Sequence, residues 1–201
     1  MRAPRMRAIV CDRLGDPSVL HIDERPIPEA GAGEIVVRVG AASVNFPDVL
    51  MVAGGYQHKP ELPFVPGMEG AGTIDAVGAD VTNWKPGDRV IFGIRPGAFA
   101  EYVKLKASGQ LMRLPDDWSF AEGSGFRVAA QTAFHSLVHR AALKKGETLL
   151  VHGASGGVGF AAVQLGKHLG ARVIATGSDD ARLAIVRQGG ADEVVNYRTG
   201  D

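Results

Sequence analysis

Between Glu147 and Thr176 the chain reads "ETLLVHGASGGVGFAAVQLGKHLGARVIAT", and this stretch restricts the possible folds more than any other. An apolar run ends at Val151, and Gly153, Gly156 and Gly159 follow at intervals of three. A segment of helical spacing comes next, with Ala162, Val163, Leu165 and Leu169 facing inward, and a second apolar run spans Arg172 to Thr176. Strand, glycine turn, helix and strand in this order predict one βαβ unit, and hence a parallel sheet. The glycines remove Cβ atoms where a helix begins, and a helix start presents unpaired amide hydrogens and the positive end of its dipole. A diphosphate suits both features, so Gly153, Ser155, Gly156, Gly157, Val158 and Gly159 are candidate cofactor-binding residues, with the main-chain N–H groups around Ser155 to Val158 as donors. A tight turn in an ordinary βαβ unit is the alternative.

Just past the second predicted strand lies the place where NAD and NADP are told apart. Here it reads "TGSDDARL". No acidic side chain stands at Gly177, and Ser178 and Arg182 can donate to a 2′-phosphate, which favours NADPH. Asp179 and Asp180 count against that choice, unless Ser178 caps the next helix and both acids occupy its first turn, where the dipole welcomes them.

The rest of the chain differs in rhythm. Up to about residue 125 it has short β-branched runs broken by Gly and Pro, namely "GEIVVRVGAASV", "GAGTIDAVG", "GDRVIFG" and "GAFAEYVKL". These predict an irregular, mostly antiparallel unit. From Ser119 a long helical segment, "SFAEGSGFRVAAQTAFHSLVHRAAL", is expected, opened by a capping box of Ser119 and Glu122. The expected division is 1–125 and 126–201. With 201 residues, 45% of them hydrophobic, both units can bury a core. The 22 basic and 22 acidic residues cancel, so no broad positive field for nucleic acid exists. No apolar run approaches the length of a signal peptide or membrane span, and a cytoplasmic home is the default expectation. Cys11, the single cysteine, excludes an internal disulfide and reads as a buried strand residue.

The stretches "ASVNFPDVLMVAGGY", "LPFVPGMEGAGTIDAVGADVTNWKPGDRV", "GAFAEYV", "AAQTAFHSL", "VHGASGGVGFAAVQLGKHLGARVIAT" and "GADEVVNYR" together resemble the zinc-free, NADPH:quinone reductase group of the medium-chain dehydrogenases/reductases, from Met6 to Arg198. The resemblance implies an α/β chain: a GroES-like, mostly antiparallel β domain that carries the substrate, followed by a Rossmann cofactor domain, with the active site in the cleft between them. It implies hydride transfer from NADPH to a small quinone or α,β-unsaturated carbonyl. Zinc relatives have a cysteine at the position of Asn45 and a histidine at that of Met68; an amide and a thioether are poor zinc ligands, so no metal is expected. His135 and His139 are spaced to chelate a metal from one helix, but lack a third ligand in sight.

Asn45 is implied to lie beside the nicotinamide as a neutral donor for the oxygen that gains charge, with Asp48 orienting it. Both residues also read as a helix cap. Thr132 matches a threonine near the nicotinamide carboxamide, and Tyr197 matches a residue against the 2′-phosphate. Leu50 stands where many relatives carry a tyrosine, which makes the pocket more apolar. An enoyl-thioester reductase and a non-catalytic cofactor- or partner-binding protein are the competing readings. Relatives commonly form homodimers. The family also continues through a second half of the Rossmann sheet, so this chain is expected to be partial and to turn over weakly or not at all by itself.

Overall fold

The computed structural model describes residues 4–199. The chain divides into two compact units, Met1–Arg127 and Val128–Asp201.

In the first unit, strands β1 (Arg5–Val10) and β2 (His21–Pro26) pair as an antiparallel ribbon. Strand β3 (Glu34–Ala42) leads into helix α1 (Phe46–Val52), and β4 (Glu69–Val77), β5 (Arg89–Gly93), β6 (Tyr102–Lys106) and β7 (Leu111–Arg113) complete a five-stranded antiparallel sheet in the order β6-β3-β4-β5-β7. Alternation explains the core: Ile35, Val37, Ile74, Val90, Phe92 and Val103 point to one side and are excluded from water. Cys11 is fully buried and bridges to Phe64 just beyond β1. The expected strand "GAFAEYVKL" is shorter than its pattern suggests, because Phe99 and Glu101 hydrogen-bond to the β1 segment instead, around an Ala8–Ala100 bridge.

The long helix expected from Ser119 is three pieces. The capping box forms, with Glu122 N–H to Ser119 Oγ at 3.2 Å and Ser119 N–H to Glu122 Oε2 at 2.7 Å. It opens only α2 (Phe120–Ser124). Gly125 ends that helix, since glycine weakens helical propagation, and Phe126 turns its ring edge to Trp118 at 5.3 Å. Helix α3 (Arg127–Phe134) then continues into a π-helical turn, His135–Arg140.

The second unit has strands β8 (Thr148–Val151), β9 (Arg172–Gly177) and β10 (Glu193–Asn196) in a parallel sheet ordered β10-β9-β8. Helix α4 (Gly157–His168) and helix α5 (Asp180–Gln188) provide the crossovers. Val151, Ala154, Val163, Val173, Ala175 and Val186 form its core. The fold is therefore the expected mixture: an antiparallel β unit and a three-stranded parallel α/β unit. Among the described residues no helix is long and apolar enough to cross a membrane.

Candidate functional site

The glycine turn joins β8 to α4, and its three conspicuous glycines have different reasons to be glycine. Gly153 has φ of +60°, a left-handed conformation that side chains disfavour. At Gly159 an added Cβ would lie 2.5 Å from the Gly153 carbonyl oxygen and 2.8 Å from Ala154 Cα, both rigid backbone. Gly159→Ala should therefore cost about 1–3 kcal/mol of stability, read by urea unfolding. Gly156 is unlike either: it caps α4 in an extended conformation, φ −80° and ψ 164°, and a Cβ there would meet only the Gly153 oxygen at 3.4 Å. At Gly157 the nearest atom would be Ala129 Cβ at 3.7 Å. Backbone conformation thus accounts for Gly153 and packing for Gly159, and both leave Gly156 and Gly157 open to a visitor.

Within the Ser155 to Val158 stretch named from the sequence, one amide is already engaged. Gly156 N–H is already bonded to the Gly153 carbonyl at 3.0 Å. Gly157, Val158 and Gly159 form the first turn of α4, where a helix offers no acceptor of its own. Ser155 and Val158 are exposed beside them. A cavity of about 490 Å³ opens here, lined by Leu137, Leu149, His152 and the Gly156–Gly159 backbone.

At the end of β9, Gly177 is buried and its carbonyl accepts the Tyr197 N–H at 3.1 Å. Tyr197 lies one residue past β10, with its side chain 61% exposed. The expected cap of α5 is corrected: Asp179, not Ser178, is the N-cap, and its Oδ1 accepts the Arg182 N–H at 2.8 Å. A carboxylate reaches the third amide of the helix and is the stronger acceptor toward a helix start. Asp180 is held as well, accepting from Asn196 Nδ2 at 2.7 Å. Both acids are thus occupied in structure, while Ser178 is half-buried and Arg182 exposed.

In the first unit Asn45 caps α1, as its sequence position suggests, and sits in a polar cluster that the sequence does not reveal. Asn45 Nδ2 donates to Glu69 Oε1 at 3.0 Å and to Ser43 Oγ at 3.1 Å, and Ser43 Oγ donates to the same Glu69 oxygen at 2.6 Å. Glu69 is 1% exposed. With both amide hydrogens turned to Ser43 and Glu69, the remaining hydrogen-bonding group of the Asn45 side chain is its carbonyl oxygen, an acceptor. Asp48 accepts the Asn45 N–H at 2.8 Å through Oδ2, and its Oδ1 is buried with no hydrogen-bond partner among the described residues. Burial, and secondarily the Glu69 charge, push the Asp48 carboxyl above its ordinary range. A raised pKa means that the folded state prefers the protonated form, so this contribution is full in acid and is lost as pH rises through the folded value. Wild type should lose stability relative to Asp48→Asn as pH rises above the ordinary aspartate value of about 4, measured by urea unfolding of both.

Nothing in "GMEG" marks Glu69 as part of a site, except that a lone carboxylate stands inside an apolar run. Val44 and Phe46, each 73% exposed, flank Asn45 with apolar surface. Thr132 lies exposed on α3, and its carbonyl accepts the Ser136 hydroxyl at 2.8 Å. The His135 and His139 rings meet edge to face, 5.5 Å between centroids, and among the described residues no three His, Cys, Asp or Glu side chains gather in a metal-holding group.

Comparison with known proteins places two family models on the chain: the alcohol dehydrogenase GroES-like domain over residues 31–116 and the zinc-binding dehydrogenase over residues 157–201. A quinone oxidoreductase from Lama guanicoe is 40% identical over 197 residues, covering 96% of this chain and 59% of the relative. The chain thus spans less than two thirds of the relative's length. Among solved structures, a probable oxidoreductase from Mycobacterium abscessus matches with a TM-score of 0.92 at 38% identity, over 98% of this chain and 63% of that one. A mycobacterial protein solved in complex with NADPH matches with a TM-score of 0.88 at 37% identity, over 97% and 60% of the two chains.

Proposed function

Because the chain belongs to the medium-chain dehydrogenase/reductase family, we propose that it binds NADPH and serves hydride transfer to a quinone or another conjugated carbonyl, without a metal. In this reading residues 1–125 carry the acceptor and residues 126–201 hold the cofactor. The observation that carries it is the glycine turn: Gly156 and Gly157 lack side chains that their own surroundings would tolerate, beside the free amides of a helix start. A diphosphate needs both.

Bound NADPH supplies a hydride. The N–H groups of Gly157, Val158 and Gly159 hold the diphosphate, with Ser155 at the rim. Ser178, Arg182 and Tyr197 receive the 2′-phosphate beside Gly177, and the engagement of Asp179 and Asp180 with their own neighbours supports NADPH over NADH. Thr132 bonds the carboxamide. Asn45, fixed by Glu69 and Ser43 and steadied by Asp48, offers its carbonyl oxygen to an amide or hydroxyl hydrogen of the bound ligands. Val44 and Phe46 supply apolar contact of the kind a flat ring takes. Asn45 with its hydrogens turned inward, and the buried thioether of Met68, do not fit a zinc ion, which supports a metal-free route for an acceptor that is already electron-poor.

Fluorescence titration with NADPH tests the cofactor assignment, and loss of NADPH absorbance with a simple benzoquinone tests the acceptor. No NADPH binding would overturn the reading, and much faster reduction of a pantetheine-linked enone would reassign the acceptor to a thioester. Arg182→Ala should weaken NADPH about tenfold and leave NADH affinity unchanged, because it removes one charge-assisted contact to the extra phosphate.

A further inference from the structure

We propose that His152 is a positioning residue for the adenosine half of the cofactor, acting through Thr176; this rests on the cofactor reading above. Strands β8 and β9 run parallel and their pairing ends with Val151 opposite Ala175, so His152 and Thr176 stand side by side just past it, with Thr176 still paired to Val195 of β10. From there they diverge, one into the glycine turn and the other into Gly177 and Ser178. Two cross-links span the point of divergence. Ala154 N–H donates to the Thr176 carbonyl at 3.0 Å, and His152 Nδ1 lies 3.0 Å from Thr176 Oγ1. Thr176 is 8% exposed, so its hydroxyl has little access to water and the imidazole is its partner. The glycine turn therefore grips Thr176 by both main chain and side chain.

The ligand consequence follows from rigidity. An adenosine dinucleotide would place its diphosphate on the first of these turns and its ribose on the second, and the covalent link between them has a fixed reach. A turn free to drift relative to the β9 end must be ordered when the ligand arrives, at a cost in affinity. The β8–β9 ladder ends at Val151 and Ala175; beyond it, among the described residues, these two hydrogen bonds tie the glycine turn to Thr176, and one of them depends on a side chain.

The test exploits the two nitrogens of the imidazole. Asparagine places its amide where Nδ1 stands, and glutamine places its amide where Nε2 stands. In titrations of the whole chain with NADPH and with adenosine 2′,5′-bisphosphate, His152→Gln and Thr176→Val should each raise the dissociation constant about five- to tenfold for both ligands. His152→Asn and Thr176→Ser should stay within about twofold of wild type, and the Gln/Val double variant should lose no more than either single one. Melting temperatures of all five variants establish that each is folded. Unchanged affinity in the Gln and Val variants, equal losses in Asn and Gln, or a loss for NADPH without one for the bisphosphate would overturn the proposal alone. Wild type binding neither ligand would overturn the cofactor reading and this inference with it.

Discussion

Gly156→Val should weaken NADPH binding by on the order of a hundredfold or more, while the melting temperature stays within a few degrees of wild type. The two halves of this expectation have separate grounds. Stability is spared because Gly156 has an extended backbone that a β-branched residue accepts, and because its Cβ would find ordinary contact distances, 3.4 Å to the nearest atom. Affinity is lost because the added side chain stands at the mouth of the α4 amides, where a diphosphate must come within hydrogen-bonding distance of the backbone. Gly159 gives the control: a Cβ there strikes backbone at 2.5 Å, so Gly159→Ala should disturb the fold first. Equal NADPH affinity in wild type and Gly156→Val would remove the support for a diphosphate at this turn.

Glu69→Ala should cost about 3 kcal/mol in urea unfolding, as much as emptying a core position. The carboxylate is 1% exposed and accepts from Ser43 Oγ and Asn45 Nδ2. Its charge also supports the cation of Arg127, which burial opposes. Removing it leaves buried donors without an acceptor and Asn45 free to turn its amide. Glu69→Gln should lose only about 1 kcal/mol, because an amide oxygen can still accept from Ser43 and Asn45. The same neutral substitution should let the Asp48 carboxyl fall part of the way back toward its ordinary range, since burial, the larger cause, remains. Carboxyl titration followed by NMR reads that shift, and no change in Asp48 would show that the two groups do not interact.

Much of the fold was legible because its signals are local. The apolar run, glycine spacing and helical period from Glu147 to Thr176 lie within one stretch of chain, and β8, α4 and β9 appear there in that order. The Ser119–Glu122 capping box spans four residues and forms as its sequence suggests. Local signals also mislead where two candidates compete at short range. Ser178 and Asp179 both have cap chemistry, and the choice of Asp179 depended on the turn that brings its oxygen to the Arg182 amide. The helix expected from Ser119 breaks at Gly125, where helical propensity is low, and Phe126 packs against the Trp118 ring across the turn.

What the sequence by itself determined about this protein is the order of its elements, the placing of the glycine turn between strand and helix, and the lack of thiolate or imidazole at Asn45 and Met68. Tertiary structure alone decided which way the Asn45 amide points, because Glu69 is 24 positions away and pairs with it only once β4 lies near the start of α1. It also decided that His152 meets Thr176, again 24 positions apart. The physical reason is common to both: a backbone period is a property of neighbouring residues, whereas the partner of a buried polar group is whatever the packed sheet brings beside it.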